Sequence, residues 1–260
     1  MLGISDHTSW LAMRLIMALA TFCSVVTVNA QQAATANPHA AKTYFITQEE
    51  TLRNPDGSRV TEDGNEVAWE IFQGQRADGA KLHMYVSKAN LQNGNGTRTV
   101  LFPDRGLIIS VSLNPANHNK MTHGSGIPWA VDPGTDYKTC GVGKFAVGKE
   151  TIQGFETIHS RRVMDNGVFE NWYAPALDCE SVRTVLTSAG GISTKEPIML
   201  SDKAPDDSYF AIRDDLKEVD PATFRLSLGD KSEHYPPGWV EKQQTEYEKE
   251  KAAREQRKGQ

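Results

Sequence analysis

Four stretches of this 260-residue chain carry residue types capable of chemistry. Gly143-Lys144-Phe145-Ala146-Val147-Gly148-Lys149-Glu150 nearly spells a phosphate-binding loop. Glu150 stands where a Ser or Thr hydroxyl must hold magnesium, and a carboxylate there repels phosphate. With no helical pattern behind it, the stretch reads as two turn glycines around a strand. His118 and His123 invite a metal reading. Five residues apart, they point to opposite faces of a strand. Lys120 between them has the wrong sign and no acidic residue lies in the stretch, so they read as two solvated loop histidines. Gly124-Ser125-Gly126 lacks the glycine two residues before the serine that a nucleophile elbow needs. Asp202, Asp206, Asp207, Asp214 and Asp215 could supply a carboxylate pair for glycoside chemistry, but their segments have the composition of polar loops and caps. No catalytic residue, no metal site and no cofactor is expected, and the protein is not expected to be an enzyme.

Binding remains. In Phe169 to Cys179, Trp172 and Tyr173 end a strand that Pro175 breaks. On one reading Trp172 packs the core and Tyr173 borders solvent. On the other, both rings line the mouth of an apolar cavity, where large rings recognise a lipid or another greasy ligand.

The N-terminus speaks to compartment. Arg14 precedes an apolar run from Leu15 to Val28, and Val28-Asn29-Ala30 offers the small residues that a signal peptidase reads. Residues 1–30 are expected to be a cleaved secretory signal. A membrane anchor needs about 20 apolar residues, and a lipid anchor at Cys23 would want a small residue in place of Phe22. Residues 31–42, rich in Ala, Gln and Asn, read as a disordered leader. The mature chain is then periplasmic or secreted, with no second apolar stretch long enough to span a bilayer. The chain has 28 basic and 33 acidic residues, a net charge of −5. The signal removes one of each, Arg14 and Asp6, so the mature charge is unchanged and no basic face for nucleic acid is expected. Cys23 leaves with the signal. Cys140 and Cys179 form an even pair in an oxidising compartment, where a disulfide is the expectation and two buried thiols the alternative.

The elements that must position these residues are mostly strands. Val67–Gln75 and Lys81–Val86 flank Ala77-Asp78-Gly79 as a hairpin, and 98–102 and 106–113 flank Pro103-Asp104-Arg105-Gly106. Leu107, Ile109, Val111 and Leu113 keep period two, which puts them on one buried face. Phe155–Val163 and Val168–Tyr173 join through Asp165-Asn166-Gly167, where Asn-Gly supplies the positive φ of a tight turn. Lys144–Val147, Ser181–Thr187 and Glu196–Leu200 are further strands. Successive hairpins build a large, mostly antiparallel sheet with one covered face. Helix signals are sparse: a turn or two within 207–216, a short helix from Pro221 to Phe224, and a segment from 237 to 260 that is polar all round. The last is a solvated helix held by charge pairs four residues apart, or disorder. A single β-rich domain over 43–236, followed by a charged tail over 237–260, is expected.

Three motifs carry a family likeness. Gly148-Lys149-Glu150-Thr151-Ile152-Gln153-Gly154 resembles the G-x-x-x-I-x-G strand of uncharacterised exported bacterial proteins. Trp172-Tyr173-Ala174-Pro175-Ala176-Leu177 resembles their W-Y-x-P-x-L hairpin end, and Pro205-Asp206-Asp207-Ser208-Tyr209-Phe210 their P-D-x-S-x-F element. Those proteins are similar to the lipoprotein-carrier (LolA-like) superfamily. The likeness covers about residues 66–217 and implies a mainly β (α+β) fold, a curved antiparallel sheet forming an open half-barrel under a few covering helices. In several members the concave side holds acyl chains. Here Ala211-Ile212-Arg213 follows Phe210 where relatives often have a proline-bearing step, and few apolar helices are visible for a lid. The resemblance supplies no catalytic residues. It implies a non-catalytic periplasmic protein that binds a lipid or other apolar ligand, with Leu107, Ile109, Val111, Trp172 and Tyr173 as candidate lining residues. The alternatives are an envelope protein–protein interaction module that uses the charged C-terminal segment, and a cryptic hydrolase.

Overall fold

The fold is given by a computed structural model that describes residues 42–62, 64–88, 96–114, 117, 119–124, 136–228 and 235–258. The expected signal and leader (apart from Lys42), His118 and Ser125 lie outside them. Among the described residues the chain is mainly β, with fourteen strands and two α-helices. Twelve strands share one open sheet whose outermost members are Lys217–Glu218 and Ala146–Ile152. Its hairpin-joined strands pair antiparallel, and Lys217–Glu218 runs parallel to Lys120–Gly124. Cα packing divides the chain into two compact units.

One unit takes 50–67 and 128–196. It holds the end of β1 (Tyr44–Arg53), the small hairpin β2 (Thr61–Glu62) and β3 (Asn65–Glu66), and an antiparallel series over 146–196. The other takes 41–49, 68–127 and 197–260. It holds the start of β1, then β4 (Ala68–Gln75), β5 (Lys81–Ser87), β6 (Gly96–Phe102), β7 (Leu107–Ser112) and β8 (Lys120–Gly124). In the first unit β9 (Ala146–Ile152), β10 (Phe155–Met164), β11 (Gly167–Ala174), β12 (Glu180–Ser188) and the start of β13 (Gly191–Ser201) pair in sequence order. The second unit closes with β14 (Lys217–Glu218), helix α1 (Pro221–Ser227) and helix α2 (Trp239–Lys258). Asp220 caps α1 by accepting from Thr223 N, with Pro221 in the first turn where its missing N–H costs nothing.

The hairpins form where turn chemistry places them, with informative exceptions. Between β4 and β5, Gly79 takes φ +81° and its N–H donates to Arg76 O. The β10–β11 turn differs from the Asn-Gly expectation. Asp165 and Asn166 are its two central residues, and Gly167 already pairs with Met164. Gly167 is needed for a different reason: a Cβ there would lie 2.1 Å from Thr187 O on β12. The expected strand at Lys144–Val147 is also corrected. Gly143–Phe145 is a 3-10 turn and the strand begins at Ala146, with Gly148 inside it opposite His159. Gly148 is therefore a strand residue, not a turn glycine.

β1 has no counterpart in the sequence reading. Its buried side chains include Thr47 on one face and Gln48 and Glu50 on the other, which are 6%, 1% and 4% exposed. Glu50 accepts a 2.8 Å hydrogen bond from Ser193 Oγ on β13. Polar residues at buried positions hide the strand's alternation.

Cys140 and Cys179 form the expected disulfide, with Cα atoms 5.4 Å apart. It joins the turn before β9 to the turn after β11. Tyr137 Oη donates to Asp178 Oδ1 across the same two turns at 2.9 Å. Burial, reinforced by that hydrogen bond, pushes the Tyr137 hydroxyl up to about 12. Cys140, Asp178 and Cys179 all hold left-handed φ angles of 48°, 60° and 59°, a conformation that costs a non-glycine residue about 1 kcal/mol or more.

Candidate functional site

The register of four strands in the second unit builds one side-chain face. Phe72 opposes Met84 and Gly74 opposes Leu82. Leu82 opposes Val100 and Met84 opposes Arg98. Phe102, Val100 and Arg98 then oppose Leu107, Ile109 and Val111. Directly opposed residues share a face of the pleat. Three candidate residues from the sequence, Leu107, Ile109 and Val111, therefore stand on one apolar surface with Phe72, Leu82, Met84, Val100 and Phe102. The period-two reading of β7 needs one correction. Ile108 and Ser112, on its other side, are also buried, at 7% and 1% exposed, so both faces of this strand are covered.

Covering helices were expected over such a face. What packs here is a strap, residues 205–212, whose only regular structure is a 3-10 turn at Asp207–Tyr209. Pro205 crosses β4 at Gly74, where an added Cβ would lie 2.7 Å from the proline ring. Asp206 caps the turn by accepting from Ser208 N at 2.8 Å. Phe210 is 3% exposed and packs with Ala80, Leu82 and Val100. Burying such a ring stabilises the strap by about 2–3 kcal/mol.

Two arginines fasten the strap to the sheet. Arg76 pairs with Asp207 at 3.1 Å and lies over the Phe210 ring, 4.8 Å from its centre. Arg98 donates from Nη2 to Ala211 O at 2.7 Å and from Nη1 to Ser208 O at 3.3 Å. The contact between sheet and strap includes large side chains that remain only half-buried: Phe45, Phe72, Met84 and Phe102 from the strands, and Tyr209 and Ile212 from the strap. Phe45, Phe72 and Tyr209 form a three-ring cluster with centroid separations of 5.4 to 6.3 Å. Rings at these distances attract one another beyond their area burial.

The same face continues to β8, where His123 opposes Ile109. His123 is not a solvated loop residue: its side chain is 15% exposed and Nδ1 lies 2.9 Å from Glu218 Oε1 on β14. Tyr247 and Arg254 of α2 donate to the same oxygen, Arg254 Nη2 at 2.6 Å. Burial raises the Glu218 pKa, but hydrogen bonds from Tyr247, Arg254 and His123 outweigh it and hold the carboxyl at about 2. Burial and the Glu218 hydrogen bond push the Tyr247 hydroxyl upward. Helix α2 is thus anchored, not solvated all round, and Tyr247 is 5% exposed. A polar sequence with one buried tyrosine gives little periodic signal.

Trp172 and Tyr173 lie in the other unit. As neighbours on β11 they project to opposite faces. Trp172 is 7% exposed. Its ring stacks on His159 of β10 at 4.1 Å and 5°, and the Arg183 guanidinium of β12 lies 4.7 Å from its centre. Arg183 continues the row to Glu196 on β13 at 2.9 Å. Tyr173 is half-buried, and burial raises its pKa. Sequence reasoning missed Phe45, Phe72, Met84 and the two strap arginines. The only signal available was the P-D-x-S-x-F element, which forms the strap itself.

No family model and no curated protein sequence matches this chain. Among solved structures, PNGF-II aligns at a TM-score of 0.44 and 15% identity over 73% of this chain and 34% of its own. The chain therefore spans about a third of that protein. MucB aligns at 0.38 and 14%, over 70% of this chain and 61% of its own. A Vibrio parahaemolyticus domain assigned to outer membrane lipoprotein sorting aligns at 0.29 and 8%, over 62% and 85%. These scores lie below the level at which a common fold is assigned. No helix among the described residues is long and apolar enough to cross a membrane.

Proposed function

We propose that this chain is a non-catalytic exported protein that holds a lipid or other apolar ligand on the sheet face beneath the strap. One observation carries the reading. Phe45, Phe72 and Met84 of the sheet are large, apolar and only half-buried, and they face Tyr209 of a covering segment that lacks a regular helix. A finished core buries such side chains fully, whereas a ligand face keeps them within reach behind a movable cover. The likeness of Pro205–Phe210 to an element of LolA-like proteins agrees with this. The disulfide fits an oxidising, extracytosolic compartment, as does the signal-like N-terminus.

The test is to export the chain, purify it from the periplasm and run native mass spectrometry. An apolar adduct lost on organic extraction is expected, together with fluorescence enhancement of N-phenyl-1-naphthylamine that Phe72→Ala weakens. A bare protein that leaves the probe dark overturns the reading. A second reading, docking of an envelope protein, is favoured by α2. Its two anchors face Glu218 and much of the remaining charged surface is exposed. Deleting residues 239–260 would then abolish partner capture without unfolding the sheet.

A further inference from the structure

Arg98 is out of place among its neighbours. On its face of the sheet it stands between Met84 and Val111. Its two hydrogen bonds go to neutral carbonyls, Ser208 O and Ala211 O. No carboxylate of the described residues pairs with it, and its Nε is buried without a partner. Arg213, the nearby charge that acts on it, has the same sign and is itself engaged with Asp215 at 2.8 Å. Burial, and then Arg213, press the Arg98 pKa below the usual guanidinium value. The other ionic groups on this part of the unit are already matched, Arg76 with Asp78 and Asp207, and His123 with Glu218.

A half-buried cation with no counter-ion is costly, and a guanidinium with an idle Nε–H is built to receive an oxyanion. We propose that Arg98 binds the anionic head of an amphiphilic ligand, a carboxylate or phosphate, whose tail lies along Met84, Phe72 and Phe45. The head oxygen takes the idle Nε–H and supplies the missing negative charge, while the strap carbonyls keep the two Nη atoms in place. This rests on the apolar-ligand reading and names the ligand class: one anionic group at the end of a hydrocarbon chain, with Arg213 favouring the same sign of charge.

The experiment measures binding of tetradecanoate, tetradecyl phosphate, tetradecanol and inorganic phosphate to the mature chain by calorimetry. Wild type is expected to bind at least one charged amphiphile tenfold or more tightly than the alcohol. Arg98→Met should erase that ratio, and Arg98→Lys should keep part of it. The ratio is the readout, because a loosened strap moves acid and alcohol together. Equal binding of acid, phosphate and alcohol to wild type overturns the head-group site and leaves the apolar face standing. Failure of all three chains to bind overturns both. Inorganic phosphate binding as tightly as tetradecyl phosphate would make this a site for free anions and overturn the amphiphile. If Arg98→Met does not fold, the wild-type ratio alone decides.

Discussion

Tyr247, 29 residues after Glu218, donates its hydroxyl hydrogen to Glu218 Oε1 and so ties the C-terminal helix to an edge strand of only two residues. Arg254, two helical turns further on, donates to the same oxygen. Trp239 at the start of α2 stacks on Tyr235 and lies under Arg225 of α1, so the shared acceptor holds the middle and far end of the helix. Tyr247→Phe should cost about 2 kcal/mol, the range for a partly buried hydrogen bond to a charged group. Amide hydrogen exchange should locate the loss in α2 and leave the β4–β6 amides protected. Equal loss of protection throughout would count against an anchoring role.

Acid should release the same latch. The Glu218 carboxyl is held at about 2, below its ordinary 4.5. A depressed carboxylate pKa contributes stability that is present above the ordinary value and is lost as pH falls toward the folded one. Thermal melts should therefore show a falling midpoint between about pH 4.5 and pH 2. Glu218→Gln should flatten that part of the profile. A variant that tracks wild type would show that another carboxylate carries the acid sensitivity.

The disulfide closes a loop with a sequence separation of 39. Chain-entropy arithmetic gives about 4 kcal/mol for a loop of that size, less whatever the left-handed angles at Cys140 and Cys179 cost in the folded state. Urea denaturation with and without dithiothreitol, alongside a Cys140→Ala/Cys179→Ala double variant, should show a loss of up to that amount. No change in midpoint on reduction would mean that the hairpins of the first unit stand without the bridge.

Gly167→Ala tests the close approach of β11 to β12. A Cβ 2.1 Å from a backbone carbonyl cannot be relieved by a rotamer change, so the strands must part. A loss of about 3 kcal/mol is expected, against a few tenths for Gly148→Ser, whose glycine has nothing within 4 Å of the added atom, no left-handed backbone angle, and an exposed position on β9. Circular dichroism melts distinguish the two.

What could be read from the sequence depended on whether the signal was local. Hairpins announced by Gly79 or by Pro103 to Gly106 stand where their turn residues put them, and Leu107, Ile109 and Val111 share the face their spacing implies. The disulfide followed from counting cysteines and naming a compartment. β1 was hidden because Gln48 and Glu50 occupy inward positions on the strength of partners far along the chain. The same holds for His123, whose partner Glu218 lies 95 positions away, and for Arg98, whose partners are backbone carbonyls of a segment more than a hundred residues on. Long-range side-chain contacts leave no periodic trace. The pair Trp172 and Tyr173 shows the converse hazard. Adjacent aromatics look like one cluster in a string of letters but face opposite ways on a strand.

The strap satisfies its own backbone. Tyr209 N donates to Asp206 O, Phe210 N to Asp207 O and Ala211 N to Ser208 O, so lifting it breaks none of these bonds and no ladder of amides. What gives way is the buried Phe210 ring, the contacts of Tyr209 with Phe45 and Phe72, and a few guanidinium contacts. Motion of such a segment is a swing on its ends, not a melting event, and belongs to the microsecond-to-millisecond class of loop gating. On the ligand reading proposed above, exchange would run at rates set by these contacts, with the rest of the sheet as stiff when open as when shut.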